Sequence, residues 1–182
     1  MPDRDYWESF FDPERILDRL GLHAPCRDVV EFGCGYGTFT LPAAKRITGT
    51  LTALDLDPGM LDATRERARA RHVTNIDAVL RDFLADGTGL PDGAADFAMV
   101  FNILHVEEPV DLLREAYRSL ASGGRLGVIH WNHDPETPRG PPLDIRPRPE
   151  DVKRWGQEAG FVLTGDVVDL PPYHYGVAFQ RV

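Results

Sequence analysis

Cysteine is scarce in this 182-residue chain, and so is any excess of positive charge. Two cysteines, Cys26 and Cys34, cannot supply a disulfide framework and point to a reducing, cytoplasmic compartment. A net charge of −9 argues against a phosphate-backbone partner, because nucleic-acid binding draws on clustered Lys and Arg; no nucleic acid is expected. No apolar stretch approaches the roughly 18–20 residues of a membrane span, and Met1-Pro2-Asp3-Arg4-Asp5 has no signal-peptide pattern. No internal repeat is present, and the only biased segment is a proline-rich one. No Walker-type Lys follows the glycine-rich loop described below, and no Cys/His pair has the spacing of a thiol nucleophile. His130 and His133 are spaced like metal ligands, but a strand end followed by prolines is poor scaffolding, and no metal is expected.

What is present is a soluble, globular composition, 42% hydrophobic and 27% charged, enough for one domain with a sizeable core. Within it, Val29-Val30-Glu31-Phe32-Gly33-Cys34-Gly35-Tyr36-Gly37-Thr38 runs from an apolar strand through a carboxylate into alternating glycines. Glycine in a strand-to-helix turn permits positive φ and lets a ligand approach the backbone. The helix that follows aims unpaired N–H groups and its positive dipole end at the same crevice. About 20 residues on, Leu51-Thr52-Ala53-Leu54-Asp55 ends in an acid placed for the two hydroxyls of a ribose. Together these features read as an adenosine-cofactor site. The dinucleotide fingerprint G-x-G-x-x-G is not met: the spacing is G-x-G-x-G, and Glu31 beside it repels a pyrophosphate but suits a ligand bearing an ammonium and a sulfonium. An NAD-dependent oxidoreductase is therefore the weaker reading.

On these residues the chain resembles the class I S-adenosylmethionine-dependent methyltransferases, in particular small single-domain ones of the ubiquinone-biosynthesis type. Glu31 to Thr38 is similar to their first motif and Asp55-Leu56-Asp57 to their ribose-binding acid. Arg81-Asp82-Phe83 resembles the adenine-edge motif, and Asp96 to Asn102 the fourth strand beside the methyl donor. Leu120-Ala121-Ser122-Gly123-Gly124-Arg125-Leu126 is similar to their entry into the fifth strand. The resemblance spans roughly residues 27 to 131. It implies S-adenosylmethionine as cofactor, S-adenosylhomocysteine as product, and a site made of Glu31, Gly33, Cys34, Gly35, Gly37, Thr38, Asp55, Leu56, Met60, Asp82, Phe83 and Asn102. Methyltransferases acting on arsenite need several cysteines, which this chain lacks.

The pattern along the chain agrees with an α/β fold: a doubly wound, Rossmann-like, mostly parallel seven-stranded sheet with helices on both faces and an antiparallel C-terminal strand. The whole of 1–182 is one domain, with 1–22 an N-terminal helical cap. Asp12-Pro13 and Asp57-Pro58 are helix starts. Strands are expected at 28–32, 51–55, 76–80, 95–101 and 124–131, with two more near 161–167 and 175–181. Helices are expected at 38–47, from Asp57 to about His72, at 109–120 and at 150–159. Arg65, Arg67, Arg69 and Arg71 are expected on a solvated helix face.

Residues 132–149 form a proline-rich connection; from Asp134 to Pro149 it holds six of the chain's fifteen prolines. It leaves the carboxyl end of a central strand, where open α/β sheets bind ligands. It is read as the acceptor-side wall, with Trp7, Trp131, Asn132, Arg139 and Arg146 as substrate residues; Trp7 and its neighbouring aromatics either form a lid over the methyl donor or pack the amino-terminal helix onto the sheet. Two arginines favour an acceptor bearing carboxylate or phosphate; the alternative is that they pair with Asp134, Glu136 or Asp144 inside the loop as a structural brace. Methyl transfer needs a general base only where the acceptor must lose a proton, and His130, His133 and His105 are the candidates. The reading is a methyltransferase, monomer or homodimer, acting on a small-molecule acceptor with no membrane partner. A cofactor-binding but catalytically silent module is the alternative.

Overall fold

In the computed structural model, which describes residues 3–23 and 26–182, the chain opens with two short helices. Asp3 accepts N–H bonds at the start of α1 (Arg4–Glu8), and Asp12 accepts the Arg15 N–H at the start of α2 (Pro13–Arg19). Five parallel strands follow: β1 (Val29–Phe32), β2 (Leu51–Asp55), β3 (Ile76–Leu80), β4 (Ala95–Phe101) and β5 (Leu120–Trp131). Between them lie α3 (Thr40–Ala44), α4 (Pro58–Ala70) and α5 (Pro109–Ser119). After β5 come α6 (Pro149–Glu158), β6 (Val162–Leu163), β7 (Val168–Leu170) and β8 (His174–Gln180). The strand order is β3-β2-β1-β4-β5-β8-β6, with β7 also on β8 and β8 antiparallel to β5. Order reverses between β1 and β4, which opens a crevice at the carboxyl ends of those strands.

The expected doubly wound sheet is present, with three differences in detail. Its C-terminal part holds three short strands rather than two, giving eight, because Gly165 turns the chain at φ +82° between β6 and β7. Strand β5 starts four residues early, where Leu120 pairs with Ala95 ahead of a bulge. Helix α3 is shorter than expected, since residues 38–39 are still in the turn that closes the glycine loop. Among the described residues, no helix is long and apolar enough to cross a membrane.

Alternation along the strands divides the core into two layers. Val30, Phe32, Ala98, Val100 and Val128 face α5 and α6, whereas Val29, Phe97, Met99 and Ile129 face the α2–α4 side. Glu31 falls on that second face, buried between strand and helix. The arginines of α4 divide rather than share one solvated face. Arg69 and Arg71 are exposed, but Arg67 pairs with Glu8 at 2.6 Å and donates to the Tyr36 carbonyl, and Arg65 donates to Ala78.

Candidate functional site

Two adjoining hollows open at the crevice. The larger, about 280 Å³, is lined by Trp7, Gly33, Gly35, Asp55, Leu56, Asp57, Met60, Phe83, Phe101, Asn102 and Ile103. The smaller continues inward past Glu31, Cys34, Thr38 and Phe39. The sequence-predicted cofactor residues thus converge, apart from Gly37 and Asp82. Gly37 sits at φ +73° behind the loop, where a Cβ would lie 2.7 Å from Leu41 and 2.9 Å from Thr64. It lets α3 and α4 close together. Asp82 caps the turn after β3, with Oδ1 accepting the N–H groups of Leu84 and Ala85, and is not among the lining residues.

Asp55 organises the entrance. Its Oδ2 accepts the Gly35 N–H at 2.8 Å and its Oδ1 the Asp57 N–H at 2.9 Å, tying the glycine loop to the start of α4. Each carboxylate oxygen keeps a further lone pair. Opposite, Asn102 ends β4 in the left-handed region (φ 59°), which Asn tolerates. Both its buried amide atoms lack a hydrogen-bond partner. A buried amide left unpaired is costly, so this one points to a group that completes it.

Glu31 forms the back wall. It is 2% exposed, and Thr40 donates to it. Burial dominates over that hydrogen bond, and with the nearby Asp55 charge it pushes the Glu31 carboxyl up to about 8. Near neutral pH it holds a proton until a cation arrives beside it. In the folded state Glu31 binds a proton over a range where the unfolded chain has lost it, so stability is full below the ordinary carboxylate pKa and falls as pH rises towards 8. We expect thermal melts to show that decline between about pH 5 and 8, and Glu31→Gln to flatten it; equal slopes in both proteins would refute this account. Burial also raises the Cys34 thiol, which suits packing beside Thr64 rather than nucleophilic attack.

The N-terminal segment covers this hollow. Glu8 accepts from Thr38 Oγ1 and pairs with Arg67, which places Trp7 against both hollows. Trp7, Phe10 and Phe11 also pack on Trp131, so the aromatics both brace the sheet and wall the cofactor side. Sequence reasoning missed Glu8; its only local sign is its place beside Trp7.

The proline-rich loop is arranged differently from the expectation. Arg146, 8% exposed, points into its own loop and donates to the carbonyls of Asn132, Asp134, Arg139 and Pro141 and to Thr137. All five guanidinium N–H groups are thereby used. Trp131 is 2% exposed within the aromatic cluster. The Asn132 N–H donates to the Tyr173 carbonyl and its own carbonyl accepts from the Arg146 guanidinium. His133 bonds the Leu143 carbonyl at 2.9 Å, and Arg139 is exposed. Of these five only Arg146 lines a hollow, one of about 350 Å³ that it shares with His105, Glu107, Asp144 and Asp151, and Trp7 serves the cofactor side. The loop expected as the acceptor wall is thus braced internally through Arg146.

A larger hollow, about 630 Å³, adjoins the cofactor cleft through their shared Phe83. It is lined by the turn after β3 (Phe83, Leu84, Gly87), the loop after β4 (His105 to Glu108) and α5 (Asp111, Leu112, Glu115). His105 stands at its edge, with Nδ1 3.3 Å from Nε2 of His130. His130, a candidate base by sequence, is wholly buried, and burial pushes its pKa down to about 3. It reaches the hollow only through His105.

Comparison with known proteins places these features in context. A family model described as a methyltransferase domain matches residues 29–124. Aklanonic acid methyltransferase of Streptomyces sp. (strain C5) is 30% identical over 65% of this chain and 54% of its own length. Malonyl-[acyl-carrier protein] O-methyltransferase of Serratia marcescens is 38% identical over 61% of this chain and 40% of its own. The matched stretch thus spans about half, or less, of these relatives. A crystal structure of a SAM-dependent methyltransferase from Aquifex aeolicus superposes with a TM-score of 0.86 at 26% identity, over 99% of this chain and 94% of that one.

Proposed function

The chain belongs to the class I S-adenosylmethionine-dependent methyltransferases, and from that premise we propose that it moves a methyl group from S-adenosylmethionine to a small organic acceptor held in the hollow beside Phe83 and His105. The observation that carries this reading is the unpartnered Asn102 amide facing a glycine cradle and a buried carboxyl. The residues fit the cofactor: Asp55 for the ribose hydroxyls, Glu31 for the ammonium, Gly33 and Gly35 for close backbone approach, and Leu56, Met60 and Phe83 for the base. When bound, that cofactor supplies an already activated methyl group, so the protein needs no nucleophile of its own.

What the chain contributes is alignment and exclusion of water. Phe83 is common to both hollows, so ligands seated on either side of it meet at the carboxyl end of β4. Holding donor and acceptor at near-attack distance supplies several kcal/mol of the barrier. Trp7, fixed by the Glu8–Arg67 pair, closes the outer wall. Parallel calorimetry with S-adenosylmethionine and NAD tests the cofactor assignment: binding of the first alone is expected, and binding of NAD alone would overturn it. Release of S-adenosylhomocysteine against pools of small acceptors then tests transfer.

A further inference from the structure

The 630 Å³ hollow has an apolar floor of Phe83, Val106 and Leu112. Its ionisable lining consists of His105 and carboxylates, with no Lys or Arg. Asp111 and Glu115 hold Arg114 and Arg118, while Glu107 and Glu108 are exposed on the rim. An anionic acceptor would be repelled by the unpaired carboxylates Glu107 and Glu108 on that rim. This lining runs against the acceptor charge suggested by the arginines, since Arg146 lies outside this hollow.

His105 is the one lining side chain able to exchange a proton near neutrality. Its Nδ1 meets Nε2 of His130 at 3.3 Å. The other nitrogen of His130 makes no hydrogen bond. A neutral His130 carrying its proton on Nδ1 offers Nε2 as an acceptor. His105 then carries its own proton on Nδ1 and presents the Nε2 lone pair to the hollow.

Building on the methyltransferase reading, we propose that His105 takes a proton from the acceptor, that His130 is the positioning residue fixing which nitrogen of His105 does so, and that the acceptor is a small amine arriving as its ammonium ion. An ammonium has no lone pair. Transfer of one N–H proton to Nε2 of His105 frees the pair on nitrogen. That pair forms the new N–CH3 bond, while the electrons of the breaking S–CH3 bond stay on sulfur as a thioether. The product is a methylated ammonium. The imidazolium, hydrogen-bonded through Nδ1–H to His130, returns its proton to solvent from an exposed position. The groups facing His105 are Glu107, Glu108 and Asp111 on one side, Asp144, Asp151 and Arg146 across the neighbouring hollow, and His130 behind. Partial burial opposes the imidazolium.

Histidine-15N-labelled protein gives a direct test through long-range 1H–15N spectra, with His105→Gln assigning the signals. Neutral His105 is expected to carry its proton on Nδ1, and His130→Phe to scramble that preference and lower the pKa of His105. His130→Gln, which keeps an acceptor, should restore it. A proton on Nε2 of His105 in the unmodified protein, or no change in His130→Phe, overturns the proposal. S-adenosylhomocysteine release should occur with amine probes such as benzylamine and not with benzoate; the opposite preference also overturns it. Turnover should fall about a hundredfold in His105→Gln and about tenfold in His130→Phe, with unchanged cofactor affinity. Failure to bind S-adenosylmethionine would instead refute the methyltransferase reading, whatever the spectra show.

Discussion

Replacing Asp55 by alanine is expected to weaken S-adenosylmethionine binding by more than a hundredfold. Asp55 has two duties. Its oxygens accept the N–H groups of Gly35 and Asp57, and their remaining lone pairs are placed for the ribose hydroxyls. A hydrogen bond to a charged group is worth about 1.5–3 kcal/mol, so loss of two costs at least about 3 kcal/mol, more than two factors of ten. The loop amide of Gly35 loses its anchor as well. Asp55→Asn should rescue little, because its NH2 group would confront one of the two backbone donors. Calorimetry on the folded variant decides the matter: an unchanged dissociation constant for Asp55→Ala removes this residue from the site.

Arg146→Ala should have the opposite profile, a large loss of stability with cofactor affinity preserved. The guanidinium gathers carbonyls from Asn132 to Pro141 onto one centre. Without it those carbonyls must find water, and a loop held by one side chain loses its shape. Removing several charge-assisted bonds is expected to cost about 3 kcal/mol, or a fall in melting temperature of about 6–12 °C for a domain of this size. Lysine at this position would keep the charge but not the fork that serves several carbonyls. Full thermal stability combined with lost turnover would return Arg146 to the acceptor pocket.

These two residues also mark what could be read in the sequence. Asp55 was legible because its role depends on chain-local features: a strand end, a fixed separation from the glycine loop, and one carboxylate. The helix starts at Asp12-Pro13 and Asp57-Pro58 were legible for the same reason, since a cap acts within three residues. Arg146 was not. Its partners are backbone carbonyls, which every residue carries, so no charge pattern announces them. The acidic rim of the hollow beside Phe83 was missed because that hollow is assembled from two loops and a helix, drawn from residues 83–87 and 105–115. His130 was found but misplaced: its strand position gave its nearness to the site and not its burial behind His105.

Glu31 carries a consequence for the heat of cofactor binding. A carboxyl that holds its proton in the empty cleft must release it when an ammonium settles beside it, and the buffer receives that proton. The measured enthalpy near neutral pH therefore contains a contribution from the buffer. Titrations in Tris, whose protonation is strongly exothermic, should appear more exothermic than the same titrations in phosphate, and the slope of heat against buffer ionisation enthalpy counts the protons released.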